Sequence, residues 1–193
     1  MSSAGSLPNL ITYLRVALAA VFPAVIFLPG AAAKAAAFAI FLAAAFTDWL
    51  DGTLARRMKI VSAFGSLIDP IADKLLVLAA VISFVQMALI PAWMAVVIVA
   101  RDLVVTGLRL TMPPAAEKSV AARASGKWKT AIQFTVIIAT LLFLIAREAG
   151  RLGAGQAARA QEAIYWSFFG IVLLTLWSGA EYLYKNRGAI GGR

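Results

Sequence analysis

The sequence predicts an all-α integral membrane protein with six transmembrane helices, and three observations carry that expectation. Of its 193 residues, 62% are hydrophobic and only 14% charged, a balance too apolar for an ordinary soluble domain. Uncharged runs at 16–33, 35–47, 75–100, 130–146 and 163–180 divide the chain, and several approach the roughly 20 residues that a helix needs to cross a bilayer. Lysine and arginine gather at one set of run ends, as the positive-inside rule requires of a polytopic chain. A single polytopic domain over residues 1–193 is expected.

With polar residues allowed at helix ends, the spans fall at about 10–28, 31–54, 66–90, 92–112, 127–147 and 162–184. Pro29-Gly30 closes the first and Ile90-Pro91 separates the third from the fourth, because proline and glycine favour turns over helix continuation. The second begins in an alanine-rich run that also carries Phe38, Phe41 and Leu42, so it reads as a closely packed helix. Pro113-Pro114 ends the fourth, and the glycines from Gly150 to Gly155 loosen the connection before the sixth. Residues 1–8 have no basic segment ahead of a short apolar core and no small-residue cleavage site, so the first span is expected to be retained. No internal repeat is evident.

Arg56, Arg57, Lys59, Arg109, Lys118, Arg123, Lys127, Lys129, Lys185, Arg187 and Arg193 share one set of ends; only Lys34, Arg147, Arg151 and Arg159 occupy the other. The first set is therefore expected in the cytoplasm, together with both termini. The net charge of +9 fits this topology and anionic lipid headgroups. No nucleic-acid motif accompanies it, and a nucleic-acid partner is not expected. The chain has no cysteine and no histidine, which removes thiol nucleophiles, imidazole bases, disulfides and zinc-finger ligands. Catalysis must run on carboxylates, hydroxyls, lysine, arginine and metal.

Four of only nine acidic residues lie between Asp48 and Asp73. Each costs roughly 2.5–3.5 kcal/mol near the centre of a bilayer, so a compensating charge is required. Asp48 and Asp51 are three apart, Asp69 and Asp73 four apart, which places each pair on one helix face with side chains roughly 5–6 Å apart. Two facing helices offering two carboxylates each match a clamp for two divalent cations of the kind that serves phosphoryl transfer. Arg56, Arg57 and Lys74 could instead pair with the acids, but three cations leave four anions incompletely balanced. Gly52 and Gly65, lacking Cβ, allow close approach to the backbone, and Arg56 follows Asp51 by little more than a turn, in reach of a phosphate.

The pattern Asp48-x2-Asp51-Gly52-x2-Ala55-Arg56-x8-Gly65-x3-Asp69-x3-Asp73 resembles the signature of the CDP-alcohol phosphotransferase family, complete and with the family's spacing. The resemblance implies a six-helix membrane fold, homodimeric, that binds two divalent cations, Mg2+ or Mn2+, and moves a phosphatidyl or related group from a CDP-linked donor to an alcohol with release of CMP. It implies Asp48, Asp51, Asp69 and Asp73 as metal ligands, with Asp73 also the base for the acceptor hydroxyl. Gly52, Ala55, Arg56 and Ser62 would line the donor site, with Asn9, Thr12 and Gly65 beside them.

Pro8-Asn9-Leu10-Ile11-Thr12-x2-Arg15, Arg101-Asp102 with Thr106-Gly107-Leu108-Arg109, and Ser125-Gly126-Lys127-Trp128-Lys129-Thr130 resemble the phosphatidylglycerophosphate synthase branch of that family. Asp102 departs from its commoner Glu. That branch implies CDP-diacylglycerol as donor and glycerol 3-phosphate as acceptor, in the inner (cytoplasmic) membrane of a bacterial-type cell among membrane lipids, with the site facing the cytoplasm. Arg101, Arg109, Lys127 and Lys129 suit an acceptor bearing a phosphate, although Asp102 could simply neutralise Arg101. Phosphatidylinositol phosphate synthesis, or another transfer within the family, is the alternative. A divalent-cation transporter would hold four acids too, but has no need of Gly52, Arg56 and Gly65 at fixed offsets.

Overall fold

The computed structural model describes the backbone of residues 6–58, 65–111 and 124–190, and the side chains of 13–47, 74–108 and 128–184. Among the described residues the chain is wholly helical, with α1 Ser6–Ile26, α2 Ala31–Met58, α3 Gly65–Gln86, α4 Ala92–Thr111, α5 Ala124–Glu148 and α6 Ala154–Ile190. Two helical stretches, Trp128–Glu148 and Ala154–Tyr184, are long and apolar enough to cross a membrane, and shorter apolar stretches occupy Tyr13–Ile26, Ala31–Thr47 and Lys74–Gln86.

Helix α6 contains the whole of the last expected span and extends beyond it at both ends. Hydropathy starts the last span at residue 162, yet the helix begins at Ala154 and runs 37 residues, about 55 Å at 1.5 Å per residue. Its opening Ala-Gly-Gln-Ala-Ala-Arg-Ala-Gln-Glu is more polar than the residues that follow but alanine-rich enough to propagate a helix. The connection before it contracts to 149–153.

Neighbouring helices follow the order α1, α2, α5, α6, α4, α3 and back to α1, and α3 also touches α2 and α5. Aromatic rings join the layers: Phe41 of α2 lies 6.1 Å from Phe22 of α1 and 5.7 Å from Phe134 of α5. Phe84 of α3 meets Phe168 of α6 edge-on at 6.0 Å, the offset geometry that ring quadrupoles favour. The expected close packing of α2 is visible in Ala37, Phe41 and Ala44, all fully buried at helical spacing. Outward faces are also apolar, with Val96 and Leu103 of α4 and Leu173 and Trp177 of α6 all more than half exposed. Apolar surface on both sides of a helix suits a bundle immersed in hydrocarbon.

Three tight turns close one end of the bundle. Lys34, counted at first as a topology residue, is buried there, and its ammonium donates to the Ile26 and Leu28 carbonyls at 2.7 and 2.8 Å. It thereby satisfies acceptors left open by the end of α1. The Gly30 N–H donates to a Glu148 carboxylate oxygen at 3.3 Å, tying the first turn to the end of α5. The α5–α6 turn is a Schellman cap: Arg151 N–H reaches the Ala146 carbonyl and Gly150 N–H the Arg147 carbonyl, with Gly150 at φ 66°.

The α3–α4 turn repeats that pattern, with Leu89 N–H to Phe84 O and Ala88 N–H to Val85 O, but Ala88 occupies the left-handed position at φ 56°. A Cβ there costs roughly 1–2 kcal/mol, against roughly 0.5–1 kcal/mol of added chain entropy lost by glycine. Ala88→Gly is therefore expected to stabilise the protein by about 0.5–1 kcal/mol, read as a higher Tm in detergent with turnover unchanged. A lower Tm would show that the methyl group contributes packing that outweighs the strain.

Candidate functional site

With α1–α2, α3–α4 and α5–α6 each joined by a tight turn at one end, the opposite end collects the start of α1, α3 and α5 and the finish of α2, α4 and α6. The residues singled out from sequence fall mostly there. Asn9 and Thr12 lie in the first turns of α1, and Asp48, Asp51, Gly52, Ala55 and Arg56 in the last turns of α2. Gly65, Asp69 and Asp73 open α3, while Arg109 ends α4 and Lys127 begins α5. Their side chains lie outside the described residues, and Ser62 lies outside them altogether.

The helix placement nonetheless bears on metal binding. Both acid pairs keep the one-turn spacing expected of them, on two helices that touch. Every candidate ligand is a carboxylate, the hard oxygen donor that Mg2+ and Mn2+ take, so the donor set fits such cations. Among the described side chains there is no grouping of three or more acids, histidines or cysteines.

Side-chain geometry is available where the basic residues of α4 and α5 meet. Asp102 of α4, 7% exposed, accepts from the Lys129 ammonium of α5 at 2.6 Å and from an Arg101 terminal nitrogen at 3.2 Å. The other terminal nitrogen of Arg101 donates to Ser178 Oγ on α6 at 2.9 Å. Arg101 also passes over the bare backbone of Gly179, where a Cβ would stand 3.2 Å from its Cγ. The charge that positive-inside topology explained poorly thus belongs to a network tying three helices. Truncating one member would leave buried charge uncompensated, which typically costs about 3–5 kcal/mol.

One turn farther from this end, Gln133 of α5 and Thr175 of α6 are buried, and Gln133 Nε2, Thr175 Oγ1 and Arg101 Nε have no hydrogen-bond partner among the described residues. Between α3 and α4 a slot of about 220 Å³ is lined by Leu78, Val99, Leu103 and other apolar groups, and by Lys74 and Asp102. Lys74 directly follows Asp73 in the chain. The slot therefore borders the turn of α3 that carries the last signature acid.

Sequence reasoning found Arg101, Asp102 and Lys129, and the expected pairing of Asp102 with Arg101 is present; what it did not find is that the shortest bond of Asp102 is to Lys129, 27 residues away. It missed Ser178 and Gly179, because a small pair in an apolar helix carries no charge signal. The Ser-Gly step at the depth of Arg101 was the available clue, since small residues let a neighbouring helix approach closely.

The model of the CDP-alcohol phosphatidyltransferase family matches residues 5–177. A CDP-diacylglycerol–glycerol-3-phosphate 3-phosphatidyltransferase of Bacillus subtilis is 38% identical, over 96% of this chain and 97% of its own length. One of the same name from Salmonella typhimurium is 36% identical, over 95% and 96%. A CMP-forming cardiolipin synthase of rice is 33% identical over 93% of this chain, which spans 57% of that longer relative. Matching the family model from before the first helix to within α6, and carrying every position of the acid signature, this chain belongs to the CDP-alcohol phosphatidyltransferase family.

Proposed function

We propose that this protein transfers the phosphatidyl group of CDP-diacylglycerol to glycerol 3-phosphate, forming phosphatidylglycerophosphate and CMP. The observation that carries this reading is the complete signature from Asp48 to Asp73 in a chain alignable nearly end to end with relatives named for that reaction. All six helices cross the membrane in this reading, with both termini and the site on the cytoplasmic side and a homodimer as the working form.

Asp48, Asp51, Asp69 and Asp73 would hold two divalent cations, which would supply charge stabilisation to the donor's pyrophosphate. Arg56 pairs with the donor phosphates beside Gly52, Ala55, Ser62 and Gly65, and Asn9 and Thr12 complete that side. Asp73 takes the proton of the acceptor's primary hydroxyl. The oxygen attacks the phosphorus bearing diacylglycerol, and the bond to the CMP oxygen breaks with its electron pair leaving on CMP. No covalent enzyme intermediate is needed. Arg109 and Lys127 hold the acceptor's phosphate, whereas Arg101 and Lys129, already engaged by Asp102 and Ser178, add positive field behind them.

Purified protein given CDP-diacylglycerol, Mg2+ and a panel of alcohols is expected to release CMP with glycerol 3-phosphate and not without a divalent cation. Inositol phosphate, serine and phosphatidylglycerol complete the panel. Turnover with one of these and none with glycerol 3-phosphate would move the protein to another branch of its family.

A further inference from the structure

We propose that Asp102 is a positioning residue for the acceptor: it locks Lys129 and Arg101 between α4, α5 and α6, and so sets where the ends of α4 and α5 place Arg109 and Lys127. The inference rests on the acceptor reading above, in which those two cations hold the acceptor's phosphate.

Three features separate this network from an ordinary surface ion pair. Lys129 is 4% exposed and its Nζ stands 2.6 Å from the Asp102 carboxylate, so the ammonium is held rather than solvated. Arg101 is fixed from both sides, by Asp102 at 3.2 Å and by Ser178 at 2.9 Å, over a glycine that leaves room for its stem. The network also spans α4, α5 and α6, with Lys129 in the second turn of α5 and only two residues from Lys127. The Lys129–Asp102 bond thereby ties the start of α5, where Lys127 lies, to α4.

Charge gives the same residue a second effect. Arg101 and Lys129 bring two positive charges to one carboxylate, and Lys74 lines the same slot as Asp102. An excess of positive charge remains in a low-dielectric setting, where it favours an entering dianion. Asp102 makes that excess tolerable by bridging the two cations, since an Arg101 terminal nitrogen and the Lys129 ammonium both bond its Oδ1. Removing its charge would drive Arg101 and Lys129 apart and splay the helix ends that receive the acceptor.

The test is steady-state kinetics with each substrate varied in turn, on purified Asp102→Asn, Asp102→Glu and the double variant Asp102→Asn with Lys129→Gln. Asp102→Asn is expected to raise the KM for glycerol 3-phosphate on the order of tenfold while the KM for CDP-diacylglycerol moves less than about twofold. Asp102→Glu keeps the charge and should recover most of the loss. The double variant leaves no unpaired lysine and so keeps the fold testable if Asp102→Asn does not fold; it too should show the raised acceptor KM. A strut without a positioning role would lower Tm and the active fraction while leaving both KM values unchanged, and that outcome overturns the proposal. So does a parallel rise in both KM values, or a double variant with wild-type acceptor KM. If the wild type uses a different alcohol, the functional reading fails on the panel, and the same split is read with the alcohol it does use.

Discussion

Asp73→Asn is expected to release CMP on the order of 10²–10⁴ times more slowly than the wild type, the range associated with loss of a positioned general base. The amide keeps the shape of the carboxylate and one oxygen able to face a cation, but it cannot accept the hydroxyl proton. Three acids of the signature remain, Asp48 and Asp51 near the end of α2 and Asp69 one turn before the substituted residue in α3. CDP-diacylglycerol should therefore still bind in the presence of Mg2+. The measurement pairs kcat under saturating metal with equilibrium binding of the donor. A near-normal rate would mean that another group takes the proton, and loss of donor binding in step with rate would make Asp73 chiefly a metal ligand.

A neighbouring residue sharpens the reading of that result. Lys74 follows Asp73 immediately, and its side chain lines the apolar slot between α3 and α4 along with Asp102. The turn that carries the proposed base is thus packed beside the network that carries the proposed acceptor control. Asp73→Asn and Asp102→Asn nevertheless differ in kind: the first should act on kcat with acceptor KM little changed, the second on acceptor KM. Two adjacent sites giving separable kinetic signatures is a stronger outcome than either loss alone.

The helices were legible because apolar runs and turn punctuation mark helical segments and their ends. Pro29-Gly30 and Ile90-Pro91 mark real turns, and each of the six expected segments carries a helix, with α1 and α3 ending at Ile26 and Gln86, short of the expected 28 and 90. Hydropathy gave no sign that the helix around the last span begins as early as Ala154, and it was silent on Ala88, since nothing about an alanine announces a left-handed φ. The acid signature was legible because its spacing is chemical. The network around Asp102 was only half legible: Arg101 and Lys129 stood out as charges in an apolar chain, but their partners are set by which helices meet. The α4–α6 and α5–α6 contacts are tertiary facts, so Ser178 at 77 residues from Arg101 gave no signal in the order of residues. Lys34 shows the same limit, since a lysine that counts toward topology in sequence is a helix cap in the fold.

Asp48→Asn should produce a different failure from Asp73→Asn, and the contrast tests the division of labour among the four acids. Asp48 lies in the last turns of α2, one helical turn before Asp51 and on the helix that also carries Gly52, Ala55 and Arg56. In the proposed arrangement it serves only as a metal ligand on the donor side. Affinity for hard cations depends strongly on the number of ligand charges, so removing one carboxylate charge should weaken divalent-cation affinity by about tenfold or more. Donor binding should fall with it, because in the proposed arrangement the pyrophosphate would be held jointly by the cations and Arg56. Raising Mg2+ should then restore a substantial part of the donor binding and of the rate, whereas no concentration of metal restores a missing base. The experiment is a Mg2+ titration of CDP-diacylglycerol binding and of CMP release for both variants. Rescue of Asp48→Asn and not of Asp73→Asn is the expected pattern. The reverse pattern would exchange their roles, and a loss in Asp48→Asn independent of metal, with the helical fold intact, would remove Asp48 from the ligand set.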